Sequence, residues 1–198
     1  MATLAVVVLA IAAVLLLRPW NGDGHGSART LQSGSFVTSY PSGWRLTVSN
    51  GRSGAERYQL SSNGAPVNGL GVGPAGTIGI TIDQMPISSL GEIHLAGGHP
   101  DPAAASQSSI ELLPHSVGTP AGAQDIVRTE SPNAIYLDGA DAAREAYRYT
   151  WGGHSNLQVD ILSHRGGQLF LLELDAEPAL VQQGQAALEG ITSDWRWH

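Results

Sequence analysis

Apolar and polar residues alternate along much of this chain with the period of two that marks a strand with one buried face. Phe36, Thr38 and Tyr40 share one side of the first such run. Trp44, Leu46 and Val48 share one side of the next, against Arg45, Thr47 and Ser49. Pro41-Ser42-Gly43 lies between them with turn chemistry, so the two runs predict a β-hairpin. Asn50-Gly51 is a further turn signal, after which Tyr58 and Leu60 predict a third strand. Ile78, Ile80 and Ile82, alternating with Gly79, Thr81 and Asp83, predict a fourth. Residues 63–76 hold five Gly and two Pro, too many freely rotating or ring-locked positions for a regular element, and read as an exposed loop.

The C-terminal third carries the clearest pattern. Tyr147, Tyr149 and Trp151 recur at period two, Gly152-Gly153 turns the chain, and Leu157, Val159 and Ile161 resume the alternation. After His164-Arg165-Gly166-Gly167, residues 169–174 are apolar at nearly every position, which predicts a strand covered on both faces at the centre of the sheet. Pro178 opens a final helix whose Leu180, Ala187, Leu188, Ile191 and Trp195 form one stripe toward the sheet, with Trp197 pinning its end. A short helix over residues 90–95 and another over 103–113, opened by Asp101-Pro102 and stopped by Pro114, are expected midway. Strands covered by helices in this order give the α+β class, with an antiparallel β-sheet.

Residues 4–17 (LAVVVLAIAAVLLL) are hydrophobic on every face. At about 1.5 Å per residue, the apolar stretch 1–17 reaches about 25 Å, slightly less than a hydrocarbon layer of about 30 Å. Arg18-Pro19-Trp20-Asn21 follows where a signal peptide would present small residues for cleavage, so an uncleaved anchor is the favoured reading. Trp20 suits the membrane interface, and Arg18 can extend its charge to the headgroups. The expected organisation is an anchor over residues 1–20, a Gly/Ser-rich flexible linker over 21–34 and a globular domain over 35–198. The domain is expected to lie outside the cytoplasm on a single-pass anchor.

Charge and composition narrow the function classes. The formal net charge is −7, and all ten positive side chains are Arg, a bias that fits a high-GC bacterial genome. An acidic domain without a basic stripe repels phosphate backbones, which argues against a nucleic-acid partner. Cysteine is absent, which excludes disulfides, thiolate metal sites, a Cys nucleophile and a lipid-bearing Cys after the apolar segment.

Candidate chemistry is sparse. Gly153-His154-Ser155-Asn156-Leu157 resembles the start of a nucleophile elbow, but Leu157 stands where the strained turn requires Gly, so an ordinary turn is expected. His94, His99, Asp101 and His115 are zinc-type ligands, but their spacing crosses Gly97, Gly98 and Pro100 and lacks the paired i, i+4 geometry of a helical site. Asp138-Gly139-Ala140-Asp141 offers oxygens without the alternation of a calcium loop and reads as a solvated turn. Glu173, Asp175 and Glu177 share a strand face; buried together, at least one would have a raised pKa, but an exposed strand end is expected. Tyr147, Tyr149 and Trp151, next to Trp44 of the first hairpin, could line a ligand cleft, and these four are the candidate site residues. No catalytic, metal-binding or cofactor-binding residue is assigned.

The aromatic first strand, Tyr40-Pro41-Ser42-Gly43-Trp44, and a distant trio of strands ending in a helix with Ile191 and Trp195 together resemble the PsbP-like superfamily, including DcrB-type envelope proteins. The resemblance covers residues 35–197 and rests on core and turn positions. It implies an α/β/α sandwich and a non-enzymatic accessory or binding role, with no catalytic residues to carry over. Residues 63–76 and 94–102 depart from the pattern, and no photosystem role follows. The expected function is an envelope-anchored binding or accessory domain, its partner an envelope protein or a small apolar ligand. The alternatives are a serine hydrolase using Ser155 and a purely structural envelope protein.

Overall fold

The computed structural model describes residues 28–50, 55–68, 72–87 and 122–198. Three two-residue turns organise its C-terminal half. Asp138-Gly139, Gly152-Gly153 and Gly166-Gly167 all have positive φ, the geometry that matches the twist of a tight hairpin. They link β6 (Gln124–Leu137), β7 (Ala140–Trp151), β8 (His154–Arg165) and β9 (Gln168–Ala176) into a continuous antiparallel meander.

β9 then pairs with β5 (Gly79–Pro86), β5 with β4 (Glu56–Ser61) and β4 with β3 (Arg45–Asn50), all antiparallel. The seven strands stand in the order β3-β4-β5-β9-β8-β7-β6, so β9 is central, as its continuous apolar run predicts. β1 (Arg29–Gln32), β2 (Phe36–Tyr40) and the two-residue β10 (Arg196–Trp197) form a second, three-stranded sheet with β2 in the middle.

Pro178–Leu180 is one turn of 3₁₀ helix leading into α1 (Val181–Ser193), which buries Gly184, Ala187, Leu188 and Ile191. These four lie on the stripe expected from their spacing. Gly184 permits close approach: a Cβ there would stand 2.9 Å from Leu174 Cδ1 and 3.2 Å from Ile78 Cγ2. The main core joins α1, the small sheet and one face of the large sheet. Its centre is aromatic. Phe36 stacks on Trp195 with centroids 4.0 Å apart, and Phe170 meets Trp197 edge-on at 4.7 Å. The Thr38 hydroxyl donates to the Ile191 carbonyl at 2.6 Å, tying β2 to the end of α1. Trp197 closes the domain: its amide N–H donates to Asp138 Oδ2 and its indole N–H to the Leu137 carbonyl.

Several expectations require correction. β2 and β3 are not a hairpin: the Trp44 N–H closes the expected turn on the Pro41 carbonyl at 3.0 Å, but β2 enters the small sheet and β3 the large one. Residues 29–32, inside the stretch read as a tether, form β1 against β2. β6 was not predicted at all. The C-terminal helix and the strands over residues 58–60, 78–82, 143–151, 157–161 and 169–174 are found where the pattern places them. The anchor and the two midway helices fall outside the described residues. Among the described residues the class is therefore α+β with antiparallel sheets and one C-terminal helix, and no helix is long and apolar enough to cross a membrane.

Candidate functional site

Strict alternation sends every second residue of β5, β9, β8 and β7 to the face of the large sheet opposite α1. The meander register aligns these residues in rows across the strands. Toward the Gly166-Gly167 turn the row is apolar: Met85, Leu169, Leu171, Leu162 and Ala143 form a second, smaller core.

The next row is polar and buried. Thr81 faces Glu173, Glu173 faces Asp160, and Asp160 faces Glu145. Thr81, Asp160 and Glu145 are 0% exposed and Glu173 3%. Beyond it, Asp175 stands opposite Gln158, and Gln158 opposite Tyr147, with Tyr149 next along β7; all four are buried.

Hydrogen bonds knit these rows together. The Gln158 amide donates to both oxygens of Asp160, at 2.9 and 3.1 Å. The Tyr149 hydroxyl donates to Asp175 Oδ2, and the Tyr147 hydroxyl donates to Glu145 Oε2 at 2.6 Å. Arg128 on β6 donates to the Tyr147 oxygen at 2.7 and 3.0 Å and lies 3.4 Å from Glu145. At the opposite flank Arg57 holds Asp83 through two parallel bonds of 2.6 Å. At the ends of the central row two buried oxygens, Thr81 Oγ1 and Glu145 Oε1, have no hydrogen-bond partner among the described residues.

Such burial sets the protonation state. Loss of water raises Asp160 and Glu173 far above the ordinary carboxylate range, each pushed further by acidic neighbours and only partly lowered, by Gln158 on Asp160 and by Arg57 on Glu173. Burial takes Asp175 up to about 7, against a lowering bond from Tyr149. Glu145 is raised by burial and lowered in part by Tyr147 and Arg128. The tyrosines rise too, first through burial and then through the carboxylates they serve, which makes both firm proton donors at neutral pH.

This overturns the expectation that Glu173 and Asp175 lie at an exposed strand end: they are 3% and 4% exposed within the central strand. Only Glu177 is past the strand, half-buried. Of the four aromatic candidates, Tyr147 and Tyr149 belong to the polar face, while Trp44 is buried on the opposite side in the main core. Trp151 is half-buried beside the Gly152-Gly153 turn. The fold thus brings two of the four together and adds Glu145, Asp160, Glu173 and Asp175.

Ser155 and His154 are exposed at the start of β8, opposite Thr150 and Trp151. That is one arm of a β-hairpin, whereas a nucleophile elbow joins a strand to a helix. Asp138 is a turn residue that binds Trp197. The four zinc-type residues lie outside the described residues, and no three His, Asp or Glu among the described residues are placed to hold a metal ion.

No family model matches the chain, and no curated protein is similar to it. Solved structures are. The solution structure of cyanobacterial PsbP (CyanoP) from Synechocystis sp. PCC 6803 superposes over 92% of this chain and 99% of its own, with TM-score 0.54 and 13% identity. A crystal structure from Bacteroides thetaiotaomicron VPI-5482 matches 88% of this chain with TM-score 0.51 and 11% identity, and this chain spans about half of that protein, 49%. LpqN of Mycobacterium tuberculosis, involved in cell envelope biogenesis, matches over 88% of this chain and 92% of its own at 18% identity, with TM-score 0.49. The chain has a PsbP-like fold.

Proposed function

We propose that this chain is a non-catalytic binding or accessory domain of the cell envelope, held at the membrane by its apolar residues 4–17 and presented on the outer side. One observation carries the binding half of the reading: the face of the PsbP-like sheet opposite α1 gathers buried carboxyls and the tyrosines that serve them. Holding five acidic side chains out of water costs stability, and clusters of shifted titratable groups gather at functional sites more than elsewhere. The chemistry is that of recognition: acceptors and donors are fixed in place, and the one serine considered as a nucleophile sits exposed on a hairpin. The apolar run followed by Arg18 and Trp20 supports the envelope half.

Chemical crosslinking of the full-length protein in its native membrane, followed by mass spectrometry, tests the reading, with a chain lacking residues 1–27 as the comparison. A reproducible partner or bound small molecule retained through the domain is the expected result. Labelling by an active-site serine probe that disappears in Ser155→Ala would overturn it in favour of hydrolysis.

A further inference from the structure

We propose that the tip formed by the Gly152-Gly153 turn and the start of β6 docks on the bilayer surface, with Ile126 and Val127 entering the headgroup layer and Arg148 meeting lipid phosphates. The inference rests on the reading of the chain as held at a membrane, and it adds the surface by which the domain lies against the lipid.

The start of β6 is shaped to expose apolar side chains. Between Gln124, opposite Thr150, and Val127, opposite Arg148, two residues of β6 stand against the single Tyr149 of β7. Such a bulge bends the strand and re-aims its side chains. Asp125 takes φ 51 within it, a left-handed geometry that few residues other than Gly adopt. Two consecutive aliphatic residues are left in water, Ile126 at 45% and Val127 at 57% exposure. The other exposed large hydrophobics among the described residues, Val48 and Tyr136, stand apart from one another. Backbone strain that delivers apolar surface to solvent points to a contact made there.

The surroundings fit a boundary between water and lipid. Trp151 ends β7 half-buried, one residue past the Thr150 that faces Gln124, and tryptophan is favoured at headgroup depth. Gly152-Gly153 closes the hairpin with no side chains to desolvate. Arg148 is exposed directly opposite Val127, where its guanidinium can pair with phosphate oxygens and offset the charge of Asp125.

Size and tethering select a bilayer over a protein. Two aliphatic side chains beside one Trp fall well short of the about 800 Å² that each partner contributes to a stable protein interface. A membrane needs no matching shape, and the anchor makes the contact intramolecular. Residues 18–27 join the apolar run to the domain, and these ten residues reach at most about 33–36 Å. The tip is thereby kept close to the lipid surface, where a weak contact suffices.

Nitroxide labelling of the full-length chain in phosphatidylcholine vesicles tests this. The sequence has no Cys, so Ser155→Cys, exposed beside the turn, and Tyr136→Cys, at the far end of β6, each give a single labelled site. The label at 155 should be relaxed more strongly by oxygen, which concentrates in lipid, than by a water-soluble nickel chelate, and the label at 136 the reverse. Adding Ile126→Asp and Val127→Asp should lower the docked-to-free ratio at 155 at least about tenfold, since each aliphatic side chain kept from lipid forfeits such a factor. Equal water access at both labels, or no change with the paired substitutions, would overturn the proposal. So would spectral broadening by a second label at 155, which would make the occupant another copy of this chain. Should the paired variant fail to fold, the comparison of the two labels in the otherwise unmodified chain decides. A chain that does not float with the vesicles sinks the membrane reading and this inference together, whereas a chain that floats with its 155 label in water sinks this inference alone.

Discussion

Replacing Asp175 by Asn should make this domain more stable above neutral pH, although it removes a native charge from the central strand. In the folded chain burial raises the Asp175 carboxyl to about 7 from an ordinary 3.8. The folded state therefore holds a proton that the unfolded chain has lost between these two values, and stability falls as pH rises through that window. A shift of about 3 units corresponds to about 4 kcal/mol, present in full below pH about 4 and lost by pH about 8. Asn keeps an oxygen to accept the Tyr149 hydroxyl bond but cannot ionise. Urea denaturation followed by tryptophan fluorescence, at intervals from pH 4 to 9, reads the difference. The two proteins should be equal within about 1 kcal/mol near pH 4, and the variant should lead by up to about 4 kcal/mol above pH 8. Parallel stability curves across this range, or a variant weaker at every pH, would refute the account of a buried, protonated carboxyl.

Other expectations follow from the packing. Trp195→Ala removes the ring stacked on Phe36 at the centre of the main core and should cost about 3–5 kcal/mol in urea unfolding at neutral pH. Gly184→Val places methyl groups against Leu174 and Ile78, where even a Cβ comes within 2.9 Å, and should cost about 1–3 kcal/mol by the same assay. Arg57→Met strands Asp83, which is only 3% exposed, and should cost about 2 kcal/mol; adding Asp83→Asn should recover part of that loss.

How far the sequence discloses this structure depends on what each pattern encodes. The central position of β9 was legible because a strand covered on both faces needs a continuous run such as Leu169 to Leu174. The helix stripe was legible because Ala187, Leu188 and Ile191 repeat with the helical period. β6 was not, since an edge strand exposed on both faces carries no burial pattern. It also contains Pro132, and its pairing with β7 slips at three places. Alternation in residues 36–48 revealed two strands but not their partners: the Pro41-Ser42-Gly43 turn that could close a hairpin instead passes the chain from one sheet to the other.

The carboxyl row escaped notice because charge was taken as a sign of exposure. A signal was nevertheless present. Two-residue turns at Gly152-Gly153 and Gly166-Gly167 fix the register of three strands, and that register alone sets Glu145 against Asp160 and Asp160 against Glu173. Three acids aligned across adjacent strands, one of them inside the most apolar strand of the chain, are legible from the turns. Their burial depends on tertiary packing, which no local pattern reports.

Most direct of all is a carbon-detected NMR titration of the side-chain carboxyls in the full-length protein, since the functional reading depends on a polar sheet face that keeps its acids out of water. The account predicts that Asp160 titrates at about 8 and Asp175 at about 7, and that Glu173 titrates well above the ordinary carboxylate range. Midpoints for all three in the ordinary carboxylate range, near about 4, would show these groups ionised and hydrated, and would remove the buried row on which the binding proposal stands.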